Sequence, residues 1–240
     1  MRNTTILPLN SEESLIIASD NSGAIGEKEQ DEVNVPYETI AYYAFRVAVM
    51  ECMAAGGDPF AVILHNFCGN GSWNKLVSGV KKGLSELEID KVKVTGSTES
   101  NFNLAQSAIG VIVLGKSSTR ECQHIQFPID TKFAVLGRPL VGDEVMTETD
   151  QVIPLSIMKS IFKMENTTAW PVGSKGILYE LIKMNRVRNL SETSIQTDVD
   201  VLKSAGPSTC VIVGFREVEE QNLRAMTGEL YHPLTIKMEE

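Results

Sequence analysis

A chain of 240 residues, 42% hydrophobic and 22% charged, holds either one large domain or two of about 100 to 150 residues, and its apolar content excludes a disordered polymer. The formal net charge of −9 argues against a nucleic-acid partner or an anionic membrane surface, since both reward basic patches. No apolar run approaches the roughly 18 residues of a membrane span, and "MRNTTILPLNSEES" contains no stretch of signal-peptide length, so a cytoplasmic protein is expected.

Taken in chain order, residues 14–19 read as a strand that ends in the polar burst Asp20, Asn21, Ser22 and Gly23. Pro36 precedes a long apolar helix, "YETIAYYAFRVAVMECMAA", stopped by Gly56 and Gly57. "FAVILHNF" reads as a buried strand by its branched residues, and Ser72 is placed to cap the next helix, whose stripe is Leu76, Val80, Leu84 and Leu87. "VKVTG" and "SAIGVIVLGK" supply two more strands. The polar, proline-broken "SSTRECQHIQFPID" is the best domain boundary. Beyond it come a strand in "KFAVLG", helices in "IPLSIMKSIFKM" and "KGILYELIKMNRV", a glycine turn and strand in "SAGPSTCVIVGF", a helix near "EVEEQNLRAM" and a last strand, "LTIKM". The class expected is α+β, in two unequal lobes.

Cys52, Cys68, Cys122 and Cys210 are scattered without a CxxC pair, which suits buried thiols in a reducing compartment. His65, His124 and His232 are too dispersed for an HxxxH metal site.

Three places could carry chemistry. Asp20, ahead of Asn21, Ser22 and two glycines, is either an Asx-type turn or a carboxylate for a divalent ion, with the backbone near Gly23 and Gly26 open to phosphate and Lys28 offsetting charge. Glu51 shares a helical stripe with Ile40, Ala44 and Val47 and sits in the last turn, where the macrodipole disfavours an acid; it should either neutralise or meet a cation, a lysine or a metal. "VTGSTESNFN" ends a strand in Gly96, Ser97, Thr98 and Glu99. The P-loop, GxGxxG and protein-kinase signatures are absent, so a nucleotide site here belongs to another architecture.

On these residues a resemblance enters. "SDNSGAIGEK" resembles the "DGVGTK"-like segment of aminoimidazole ribonucleotide synthetase, and "FRVAVMECMAAGGDPFAVIL" its "VNDLVVQGAEP"-like helix and strand. "VTGSTES" sits where that family has "GGET" or "GGDT", and "SAGPSTCVIVGF" resembles the glycine turn of its second domain. The superfamily includes thiamine-monophosphate kinase and selenophosphate synthetase. "SDNSG", "MECMAAGGDPFAV" and "GSTESN" in so short a chain look most like the alpha-ribazole kinase branch.

The resemblance implies a two-lobed synthetase-like fold: residues 1–118 an ATP-binding and dimerising sheet domain, residues 130–240 a short α/β lobe. It implies an ATP-dependent kinase acting on a small alcohol or nucleoside, namely the ribose 5′-hydroxyl of alpha-ribazole, working as a homodimer. Asp20, Glu51 and Glu99 would hold Mg²⁺; Asn21, Ser22, Gly23, Lys28, Gly96, Ser97 and Thr98 would line the nucleotide; Asp20, Lys28 and Asn66 would serve the reaction. Two alternatives stay open, the second of them motivated by two departures from the family pattern, Ser97 at an acidic position and His65-Asn66 near another. The first is a synthetase that activates an amide or carbonyl oxygen, the second a nucleotide-binding regulator without turnover.

Overall fold

A computed structural model describes residues 4–118, 127, 128, 130–185 and 190–237; Cys122, His124 and most of the boundary segment lie outside them. The chain divides into two compact units, residues 2–123 and, apart from Met1, 124–240.

The N-terminal unit runs β1 (Thr4–Pro8), β2 (Glu13–Gly23), β3 (Ile25–Gly26), β4 (Val33–Asn34), α1 (Tyr37–Ala54), β5 (Asp58–Asn66), α2 (Trp73–Glu86), β6 (Lys93–Thr98) and β7 (Ala108–Ser118). Its five-stranded sheet has the order β1-β2-β7-β5-β6. Only β5 and β6 pair in parallel, because α2 carries the chain back between them, and the other neighbours are antiparallel. Ile16, Ala18, Val62, Leu64, Val111 and Val113 alternate onto one face, fully buried, where α1 packs. The alternate residues Leu15, Ile17, Ala61, Ile63, Ile112 and Leu114 form an open face that is only partly buried.

α1 is apolar nearly all round because it has two partners, the sheet beneath and α2 above. The helices cross at Gly79, where a Cβ would meet the Glu38 carbonyl and come within 2.9 Å of the Tyr42 nitrogen. Beside the crossing Arg46 is wholly buried between Tyr42 and Tyr43, and Tyr42 donates to Glu86 of α2 at 2.9 Å. Cys52 is buried at the helix end, where desolvation and the Asp58 charge push its thiol up to about 12. Ser72 precedes α2 without capping it: its hydroxyl donates to Asn66 and the Gly69 carbonyl instead.

The largest departure from expectation is in β2, which does not stop at Ser19. Pairing with β7 continues without a break through Asp20–Val111 to Gly23–Ala108. The partner strand supplies ladder bonds that outweigh the turn preference of Asp, Asn and Ser.

The C-terminal unit runs β8 (Lys132–Leu136), α3 (Glu144–Thr147), α4 (Leu155–Phe162), β9 (Thr167–Pro171), α5 (Gly176–Asn185), β10 (Ile195–Gln196), β11 (Val211–Phe215), α6 (Glu220–Thr227) and β12 (Tyr231–Ile236). The sheet order is β10-β12-β8-β11-β9, antiparallel throughout. Ala134, Val135, Leu136, Val211, Ile212 and Val213 are all at 0% exposure, so both faces are covered and these strands read as unbroken apolar runs. α5 packs Ile177 and Leu181 against Val135, Ile212 and Trp170 on one face. α4 lies against β9, and α6 against β12. Buried His232 contacts the Asp198 carboxylate through Nδ1 at 2.9 Å, a core histidine that anchors an edge segment. β1 and β9, both edge strands, were not expected from the sequence. Among the described residues no helix is long and apolar enough to cross a membrane.

Gly79→Val drives a branched side chain into the α1 backbone. It should cost about 1–3 kcal/mol, read as a lower urea midpoint with an unchanged slope.

Candidate functional site

The register sorts the expected site residues onto opposite faces. One row on the α1 side reads Asp20, Val111, Leu64, Gly96, and the next Ser22, Ile109, Asn66, Thr98. On the open side the row reads Asn21, Gly110, His65, Ser97. Beyond it stand Gly23, Ala108 and Phe67, whose amide donates to the Ala108 carbonyl at 3.0 Å. The continuous strand therefore sends Asp20 and Ser22 to one face and Asn21 and Gly23 to the other, and does not gather them in a turn.

Nor do the three carboxylates meet. Asp20 on β2 lies three strand steps, about 14 Å, from the edge strand that leads to Glu99. Glu51 precedes Cys52, whose sulfur is what a Cβ on Gly115 would strike. Gly115 pairs with Ile16, which stands about 13 Å along the strand from Asp20. Among the described residues no three His, Cys, Asp or Glu side chains gather as a metal centre. The set Asp20, Glu51, Glu99 thus does not fit a resident Mg²⁺ held by one chain. An ion carried on phosphates needs only one or two carboxylates; Asp20 lies in the polar rows at this end of the sheet, and Glu99 follows them on the far edge strand.

Asn66 is also reassigned. It is 1% exposed, and its whole amide is used: Oδ1 accepts from the Cys68 amide at 2.8 Å and Ser72 Oγ at 3.0 Å, while Nδ2 donates to the Gly69 carbonyl and Thr98 Oγ1, both at 3.0 Å. It builds the turn after β5 and latches β6, with nothing left to orient an acceptor. Gly96 is required by close packing, since a Cβ there would strike the Leu64 carbonyl. Glu99 accepts from the Asn101 amide at 2.7 Å and shapes the loop that follows.

Lys28 has become a tie. Its ammonium donates to the carbonyls of Phe67 (3.3 Å), Leu104 (2.8 Å) and Gln106 (3.2 Å), which takes up its three donors. Around it lies a network that sequence reading missed. Asp31 accepts from the Ser107 amide and hydroxyl, both at 2.7 Å, and from the Lys28 amide at 2.9 Å. Desolvation pushes the Asp31 carboxyl up, but the two Ser107 bonds, the Lys28 amide and the Lys28 charge together outweigh it and hold the group below the usual range. Tyr37 reaches Ser107 Oγ at 3.2 Å. Glu27 accepts from Lys75 at 2.6 Å and from the Tyr37 amide at 3.1 Å, so it closes the bare N-terminus of α1 and is held below the usual carboxylate range by those two bonds. A Cβ on Gly26 would strike Ser107, and this glycine was the only local signal of the knot. Its main partners lie 76 residues apart in sequence.

Beside the knot, at the end of the open face, is an open cleft of about 500 Å³. Gly23, Ala24, Gln30, Leu104, Gln106 and Ala108 line it.

With this geometry in view, no family model and no curated protein sequence matches the chain. Its three-dimensional structure does find relatives. Thiamine monophosphate kinase from Aquifex aeolicus superposes with a TM-score of 0.63 at 12% identity, over 99% of this chain and 89% of that one. A chain of the HypE–HypF complex gives 0.59 at 14% identity, over 97% of this chain and 87% of that one. PurL of T. maritima, solved with AMPPCP, gives 0.58 at 10% identity. The match covers 97% of this chain but spans only 42% of PurL. The fold is that of the aminoimidazole ribonucleotide synthetase-like proteins. At such identities the likeness establishes the architecture and carries no side-chain roles. PurL of T. maritima has also been solved with ADP and with ATP.

Asp31 contributes stability that is complete above its unfolded pKa of about 3.9 and disappears as pH falls through its depressed folded value. Wild-type protein should therefore lose thermal stability faster than Asp31→Asn below about pH 4, and the two melting curves should converge at the acid end.

Proposed function

We propose that this chain is an ATP-dependent phosphotransferase acting on a hydroxyl of a small nucleoside-like alcohol. The observation that carries the reading is the near full-length likeness to a thiamine monophosphate kinase, joined by the likeness of nearly all of this chain to part of a PurL solved with AMPPCP, ADP and ATP. Asp20 and Ser22, on the α1 side of β2, supply a carboxylate and a hydroxyl for the phosphate end. Phosphoryl transfer depends chiefly on positioning and charge stabilisation, so a site without an evident general base is compatible with it. Mg²⁺ enters as part of the nucleotide substrate. Alpha-ribazole is the acceptor suggested by the sequence resemblance, and cytoplasm the compartment suggested by the sequence as a whole. In this reading residues 1–118 bind nucleotide and residues 130–240 form the synthetase-like lobe.

The working form is a homodimer joined through the open sheet face. Leu7, Leu15, Ile17, Ile63, Ile112 and Leu114 form its apolar stripe, and a second copy of the same stripe is a self-complementary cover. Ile112→Lys places a charge at its centre and should convert a sedimenting dimer into a folded monomer; a wild-type protein that sediments as a monomer rules the dimer out.

The enzymatic test is ATP consumption with Mg²⁺ and a panel of alpha-ribazole, thiamine monophosphate and other nucleosides. ADP and a stable phosphate ester are expected. A cyclised or aminated product would move the chain to the synthetase chemistry, and nucleotide binding without acceptor-dependent ADP would remove the catalytic reading. Asp20→Asn should lower turnover by about 100-fold or more with the fold intact.

A further inference from the structure

We infer that the cleft beside Gly23 takes a flat, uncharged heteroaromatic ring, the base end of a nucleoside, and not its phosphates. The inference rests on the reading above and assigns the end of the ligand that Asp20 and Ser22 do not serve.

Charge decides it. No charged side chain lines the cleft. Among the hydrogen bonds that hold the wall, the Lys28 ammonium gives its three donors to main-chain carbonyls, and the Asp31 carboxylate is taken by Ser107 and the Lys28 amide. A phosphate placed there would lose water without gaining a counter-charge or a free donor array. A ring loses little on entering, and about 500 Å³ is ample room for one with part of its sugar.

Shape agrees. Gly23 and Ala108 are paired neighbours on the open face, so the floor carries nothing larger than a methyl group. Phe67 continues that row and is 38% exposed. The loop that supplies the wall presents Leu104 at 38% exposure and Phe102 at 77%, the highest among the exposed large hydrophobic residues. Of the three, Leu104 lines the cleft and gives a planar ring an apolar surface to pack on. Gln106 Nε2 donates to the Gln30 carbonyl at 2.7 Å, which fixes two wall segments to each other and sets amide groups at the rim for ring nitrogens. The ring can belong to the nucleotide or to the acceptor, since both present the same chemistry.

Gly23→Val is a clean test. A Cβ at Gly23 meets nothing within 4 Å, so the new side chain fills the cleft and not the protein, and a β-branched residue suits a strand. Wild type and variant are titrated by calorimetry with adenosine, alpha-ribazole and inorganic tripolyphosphate, with the melting temperature as a check on the fold. Adenosine or alpha-ribazole should bind wild type and lose at least tenfold in affinity in Gly23→Val, with a smaller loss in Leu104→Ala. Whichever nucleoside loses affinity identifies the source of the ring, and tripolyphosphate should bind both proteins equally. The assignment is overturned if neither nucleoside binds wild type, if both bind the variant unchanged, or if tripolyphosphate alone is affected. Failure of the kinase reading is separate: absent ATP turnover with ring binding lost in Gly23→Val sinks only the former, and intact turnover with unchanged nucleoside affinity sinks only the cleft.

Discussion

The unbroken antiparallel pairing of β2 with β7, from Glu13–Ser118 to Gly23–Ala108, is the constraint on which the N-terminal unit depends. Because side chains alternate along it, one register decides at once which residues meet α1 and which face outwards. Ile16 and Ala18 are thereby committed to the core, and Asp20 and Ser22 follow on the same side. Asn21 and Gly23 are turned to the open face by the same alternation. A slip of one residue would exchange the two sets and bury Asn21 under the helix.

Around the end of that ladder, charge is spent on architecture before chemistry. Lys28 binds the carbonyl of Phe67 just after β5 and two from the loop before β7, and Asp31 holds Ser107 by its amide and hydroxyl together. Glu27 satisfies the first amide of α1, which Pro36 cannot cap. The result is a set of loops made rigid by hydrogen bonds to charged groups, the stronger kind. A cleft walled by such loops is pre-organised, and its neutrality follows from the same expenditure.

Much of the architecture was legible in the sequence because burial has a period. The apolar circumference of α1, the stripe Leu76, Val80, Leu84 and Leu87 on α2, and the dense runs of β5, β7 and β11 each announced their element. The edge strands β1 and β9 did not: β1 lies half in solvent and carries little periodic signal, and β9 is only five residues long with its buried residues Ala169, Trp170 and Pro171 in one run and no alternation. The site was legible as chemistry but not as geometry. Asp20, Asn66 and Lys28 stood out by type, yet the amide of Asn66 and the ammonium of Lys28 are used internally by partners that no local pattern reveals. Asp31 and Ser107, unremarkable as letters, form the centre of the knot.

What the sequence determined by itself was the class of fold, the order of most elements and the presence of polar residues after the first long strand, all of which depend on periodicity and composition within a few turns of chain. Only the tertiary structure decided that those polar residues lie on two faces, that Asp20, Glu51 and Glu99 stay apart, and that the cleft is uncharged. Those outcomes depend on which strand pairs with which and in what register. That choice is made by hydrogen bonds between segments far apart in the chain, whose energies no local stretch contains.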